Sequence, residues 1–280
     1  MFAAAASATF FAGGLIAARF GLDHLPVRVG ATFSVPSAFV LFASMAPWTI
    51  DWAGFVWPAA IAFAAIGLFF PAAVTLLSFH STEKLGSSAT AAISGTAPLF
   101  AIPAAALVLD EPVPGRALAA AAGIAIGIAL LSWNARRGGT DWRYLWLACL
   151  SPAIRALAQV LVKASMLWWP SAFAAALFGY GVSSVVLIGY GWRRGPPLPR
   201  AGIGWFGLTG LCNGLGVLLF YWSVANAPVA LVSPILATVP LIAVLIGFVV
   251  FRDRRPSLRE SLGIAATVAS VVWLVTGRHG

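Results

Sequence analysis

This chain keeps its acids out of its apolar stretches. Its eight acidic residues (Asp23, Asp51, Glu83, Asp110, Glu111, Asp141, Asp253 and Glu260) all fall in turns or at the ends of those stretches. That removes the intramembrane carboxylate with which proton-coupled antiporters of cationic drugs commonly alternate between proton and cargo. Charge of either sign is scarce, at 9% of residues against roughly 25% in a soluble domain. Cysteine is scarcer still. Cys149 and Cys212 stand inside apolar runs with no CxxC or metal-type spacing, and are expected to be buried, reduced thiols. The three histidines, His24, His80 and His279, sit at span ends or in turns, and no carboxylate joins them inside a span. No catalytic pair and no metal cluster is legible, so neither an enzyme nor a cofactor is expected.

What is abundant is apolar surface: 61% of 280 residues, with twelve Trp and nineteen Phe. A soluble domain of this composition would expose it on every side, so the chain is expected to be an all-α polytopic membrane protein whose solvent is the lipid bilayer. The first twenty residues lack the basic start of a secretory signal and read as a retained first helix. A spanning helix needs about 20 apolar residues. Pro, Gly and charge clusters divide the chain into ten such spans, near 3–20, 27–46, 54–79, 85–109, 114–133, 142–163, 170–192, 201–225, 228–251 and 256–276. The net charge of +9 and pI near 10.8 do not call for nucleic acid, because nearly all the basic residues lie in the turns. Thirteen of them follow odd-numbered spans, and three (Arg116, Lys163, Arg278) lie in even-numbered turns or the tail. The positive-inside rule then puts the odd turns in the cytoplasm and both termini outside. Trp142, Trp168, Trp169, Trp192 and Trp222 lie near span ends, as interfacial anchors would.

The sequence repeats itself. Ile93, Thr96, Pro98, Leu99 and Pro114 recur 142 positions later as Ile235, Thr238, Pro240, Leu241 and Pro256. Ser7, Arg19 and Pro26 recur, 144 positions on, as Ser151, Lys163 and Pro170. Each half, 1–138 and 139–280, thus holds five spans. An odd number enters the second half upside down, the inverted-repeat plan of many transporters. Two complete halves in one chain make a monomer sufficient, with a dimer left open.

One charge stands inside a span. Arg155, in the sixth, shares a helical face with Ser151 and Gln159 at i−4 and i+4. A guanidinium there costs about 2.5–3.5 kcal/mol even on the milder insertion scale, so it either faces a wet cavity or partner, or snorkels toward Lys163 or binds backbone carbonyls within the bundle. In a cavity it could take a carboxylate in a two-pronged hydrogen bond. Pro152 removes a helical donor beside it. Pro98 and Pro240 are repeat mates that free carbonyls in otherwise regular helices, either at a transport site or as packing kinks. Ser94 and Thr96 near Pro98, Asn213 deep in the eighth span, Tyr180 in the seventh and His80 ending the third complete the candidates for substrate contact. For each of them helix packing, or for His80 a surface position, is the competing reading.

The stretch SATAAISGTAPLFAIPAAALVLDEPVPGRALAAAAGIAIGIALL, with its Thr96–Phe100 run and Asp110-Glu111 turn, resembles the signature of EamA-type drug/metabolite transporters. The Phe11–Arg19 segment is similar to that family's opening motif, with Phe11 in place of a Trp. The resemblance implies ten helices as 5+5 and a bacterial inner-membrane carrier for a small-molecule substrate, working by alternating access. It also implies amphipathic metabolites, often amino acids, with organic acids, sugars or drugs as the alternative cargo and a non-transporting receptor or scaffold as the remaining reading; the aromatic amino-acid exporter branch is similar in length and plan. Termini in that family are usually cytoplasmic, opposite to the charge count here. No nucleic-acid partner is implied.

Overall fold

In a bilayer every backbone amide must find its partner within its own segment, so apolar runs of this kind form helices. The computed structural model describes residues 2–85, 90, 93–131, 142–191, 198–251 and 258–276. The turns at 134–140 and 252–255, Trp192, and most of the turn at 193–200, with Arg136, Arg137, Arg193, Arg194, Arg252, Arg254 and Arg255, lie outside the described residues. Among the described residues there are helices and no strands. The helices are α1 (Phe2–Leu22), α2 (Val27–Thr49), α3 (Trp57–Gly67), α4 (Ala72–Leu85), α5 (Ala97–Leu109) and α6 (Gly115–Leu131). They continue as α7 (Trp142–Met166), α8 (Ala172–Gly191), α9 (Arg200–Asn226), α10 (Val229–Leu236), α11 (Val239–Phe251) and α12 (Leu258–Thr276).

Among the described residues, five stretches are long and apolar enough to cross a membrane: Phe2–Leu22, Val27–Thr49, Trp57–Leu85, Ala172–Gly191 and Arg200–Asn226. Shorter apolar helices at Ala97–Leu109, Gly115–Gly127 and Val229–Ala243 accompany them. The outer surface is apolar in mid-helix, with Val185 74% and Ile61 63% exposed. In water that would be a liability; against lipid tails it costs nothing.

Three of the expected spans are broken, each at a proline. Pro71 has no N–H, so the Gly67 carbonyl loses its helical donor and the third span divides into α3 and α4. Ser183 on α8 mends both ends: its hydroxyl donates to the Gly67 carbonyl and accepts from the Ala72 amide at 3.2 Å. The fourth span turns at Gly95–Thr96 before Pro98, and the ninth divides into α10 and α11 before Pro240. The two repeat-related turns are closed alike. Thr96 Oγ1 donates to the Ile93 carbonyl at 2.6 Å, and Thr238 Oγ1 to the Ile235 carbonyl at 2.7 Å.

Small residues bring the helices together, because lipid supplies no hydrophobic drive for helix association. Helix α9 is the hub, packed on α1 and α2. Phe11 of α1 lies over Gly216, and Ser7 Oγ donates to the Gly216 carbonyl at 2.6 Å. Gly210 lets α9 approach the Ser34 carbonyl of α2, where Ser37 Oγ donates to the Gly207 carbonyl at 3.2 Å. Gly123 and Gly127 of α6 similarly meet Ser270 and Thr267 of α12.

Two sequence expectations need correcting. Trp169 is not an interfacial anchor: it is 4% exposed and packs against Phe55, Phe63 and Phe178. The residue before it, Trp168, takes the outward position, 61% exposed. Cys149 is exposed rather than buried, since its position on α7 faces away from the bundle.

Candidate substrate site

Helix α7 runs unbroken through Pro152 and carries Arg155 and Gln159 one turn apart, on the face turned to the bundle interior. Two cavities meet there. The first holds about 830 Å³ of empty space, including its open mouth. Its wall comes from α1 (Phe11, Gly14, Leu15, Ala18), α4 (Ser78, Phe79, Thr82) and the broken fourth span (Thr90, Ser94, Gly95, Ala97), with α7, α9 (Asn213) and the α10–α11 break (Ser233, Leu236, Ala237, Val239, Pro240). The second, about 590 Å³, is lined by Phe70, Pro71, Tyr180, Val217 and Phe220, among others. Phe11, Ser78, Phe79, Arg155, Gln159 and Asn213 line both. The guanidinium therefore stands on the partition, with its Cζ 5.9 Å from the Phe11 ring centroid.

The wall is underused as a hydrogen-bonding surface. Arg155 Nε, Gln159 Oε1 and Thr90 Oγ1 are buried without a protein partner, a rare condition in folded proteins. Among the described residues no Asp or Glu lines either cavity. The prolines add acceptors. Pro98 and Pro240 cannot donate to the carbonyls four residues earlier, and those belong to Ser94 and Leu236, both in the cavity wall. A positive fork, free carbonyl oxygens and an amide oxygen thus share one chamber with aromatic and aliphatic surface. Such a set can hold a carboxylate, an ammonium and an apolar group at once.

Not every sequence candidate is part of it. Ser151 is buried behind the wall, its hydroxyl 3.0 Å from that of Ser78, and reaches the cavity only through that serine. Thr96 spends its hydroxyl on the Ile93 carbonyl, so its neighbours Gly95 and Ala97 line the cavity instead. Pro98 is buried and acts through the carbonyl it frees. Tyr180, 3% exposed, belongs to the second cavity and packs edge-on to Phe42, ring centroids 5.2 Å apart. His80 stands apart from both cavities: its side chain is 56% exposed, 3.8 Å from Glu83, because Ser78, Phe79 and Thr82 are the α4 residues that turn inward.

The sequence reading missed Phe11, Ser78, Thr82, Thr90 and Ser233. Hydroxyls on the faces of spans three, four and nine were the available signal, but serine and threonine also bond their own helices routinely. It also missed how Asn213 is seated. A Cβ on Gly14 would overlap the Asn213 amide, so glycine on α1 makes room for the one amide deep in α9.

The wall's Ala18 and Thr82 lie near the C-terminal ends of α1 and α4. The opposite end of α7 is tied down. Lys163 Nζ donates to Glu111 Oε1 at 2.5 Å and to the Ala227 carbonyl at 2.8 Å, while Glu111 Oε2 accepts from the Val229 amide at 2.8 Å. Asp110, at φ 51°, ends α5 in the left-handed conformation that Asp tolerates and turns the chain at that point.

The family model of EamA-like transporters matches residues 1–133 and 142–276. The chain belongs to that family. The family is one of transporters. Two curated relatives, both called uncharacterized transporters, come from Helicobacter pylori strains 26695 and J99. They are 24% and 25% identical to this chain over 198 residues, 69% of its length and 66% of theirs. A crystal structure with 17% identity superposes at a TM-score of 0.71, over 98% of this EamA-like chain and 95% of its own, and so shares the fold.

Proposed function

We propose that this EamA-like transporter exports small amphipathic metabolites bearing a carboxylate, amino acids foremost, across a bacterial inner membrane. The observation that carries the reading is Arg155, which enters the cavity wall with Nε unpartnered and, among the described residues, no acid on that wall. Its guanidinium receives the carboxylate. The ammonium lies against Gln159 Oε1 and the proline-freed carbonyls of Ser94 and Leu236, with Asn213 beside them. The apolar part of the substrate enters the second chamber along Phe70, Val217 and Phe220. An organic acid without an amine would leave those acceptors unfilled, which is why amino acids are favoured. The halves 1–138 and 139–280 act as inverted five-helix repeats that rock about this site. Both termini lie outside in this reading, which the charge count supports.

The test is counterflow of the twenty labelled amino acids, one at a time, into liposomes holding the purified protein, with Arg155→Gln alongside. Exchange by wild type that fails in the variant supports the reading. Exchange unaffected by the substitution removes Arg155 from the site.

A further inference from the structure

Arg155 carries a full positive charge on a wall that supplies no negative one. Among the described residues, the helices around it hold no acid in any segment that lines the cavities. Glu111 is engaged with Lys163 and the Val229 amide, and Glu83 lies beside His80 and Lys84 with its side chain 40% exposed. While the first cavity is open, water entering its mouth solvates the guanidinium. Alternating access passes through a form closed at both ends, and closure expels that water. An enclosed guanidinium with neither water nor a counter-ion is among the costliest groups a membrane protein can hold.

We propose that the transporter is an obligatory exchanger, which crosses between its two open forms only with a carboxylate seated on Arg155. The inference rests on the substrate reading above. A carboxylate restores two hydrogen bonds and opposite charge to the fork at the moment water leaves. An ammonium on the same substrate meets Gln159 Oε1 and the carbonyls of Ser94 and Leu236, so both charges of a bound amino acid have partners in the closed form. The empty protein has none to offer Arg155, and its crossing is slow. Cargo then moves outward only as another molecule of the same chemistry moves in. Coupling comes from the unmet charge of the protein rather than from a proton-binding carboxylate.

The experiment uses full-length protein in liposomes in chloride-free buffer, with initial uptake of each labelled amino acid as the readout. Vesicles either contain the same amino acid unlabelled or lack it. Wild type is expected to take up label at least about tenfold faster into loaded vesicles, a ratio that needs a barrier difference of only about 1.36 kcal/mol. Arg155→Lys keeps a positive charge and should keep the ratio with weaker binding. Arg155→Gln can close empty, and its ratio should fall toward one. Equal wild-type uptake into loaded and unloaded vesicles would overturn the exchanger and leave the substrate reading standing, as would an Arg155→Gln ratio matching wild type. No uptake of any amino acid into loaded vesicles would overturn both. The wild-type ratio decides the matter even where Arg155→Gln carries nothing.

Discussion

Removing the Glu111 side chain should be among the most destabilising single truncations outside the cavity. In Glu111→Ala the Lys163 ammonium keeps the Ala227 carbonyl but loses its counter-charge, and the Val229 amide loses its acceptor. The two side chains are 16% and 12% exposed, so the stranded charge is largely cut off from water. Breaking a fully buried pair costs about 3–5 kcal/mol. The residual exposure and the retained carbonyl bond lower the expectation here to about 2–3 kcal/mol. By the scaling of helical and mixed domains this is a fall of roughly 4–12 °C in the unfolding midpoint, readable by scanning fluorimetry of purified protein in detergent. The mechanism is tested by Glu111→Ala with Lys163→Met. Removing both charges together is often near neutral, so the double variant should recover more than half of the loss. A single variant within about 0.5 kcal/mol of wild type, the size of an ordinary surface change, would refute the reasoning. So would a double variant no more stable than the single one.

Ser183→Ala deprives the Gly67 carbonyl and the Ala72 amide of their shared partner. A loss of about 1–2 kcal/mol is expected by thermal unfolding, and Ser183→Thr should retain most of it. Gly210→Ala puts a methyl group into the Ser34 carbonyl. Helices α2 and α9 must part, at a cost of about 1–3 kcal/mol or more, seen as lower yield and a lower unfolding midpoint. Gly14→Ala pushes the Asn213 amide from its seat. Its uptake defect should match that of Asn213→Ala, and the double variant should be no worse than either, as coupled neighbours behave.

How much of this was legible in advance depended on periodicity. Ser151, Arg155 and Gln159 were assigned one face by their four-residue spacing, and α7 holds that face inward because a helix fixes it. The breaks at Pro98 and Pro240 were visible as repeated prolines, and the structure adds whose carbonyls they free. The break at Pro71 was not read, since the apolar run passes through it and its mending serine lies more than a hundred residues away on α8. Trp169 and His80 were placed by position along the chain alone. Each lies near a span end, but which side of a helix faces inward there depends on neighbours that one sequence does not display. The Glu111–Lys163 pair left a faint trace: an acidic turn and one of the few bases assigned to the same side. Pairing them requires knowing that α7 ends beside the turn after α5. The seat of Asn213 needed the same kind of knowledge, because only the packing of α1 on α9 sets Gly14 opposite it.

The central claim is that Arg155 binds the carboxylate of a small amphipathic substrate, and competition tests it most directly. Uptake of the best-transported labelled amino acid would be challenged with the same unlabelled amino acid, with its decarboxylated amine, and with its amide. The amino acid should compete while the amine and the amide, lacking the carboxylate, compete at least about tenfold less well, the discrimination expected when a site built for a charged partner is left unpaired. Equal competition by the amine would mean that the carboxylate is not what the cavity recognises, and would contradict the account.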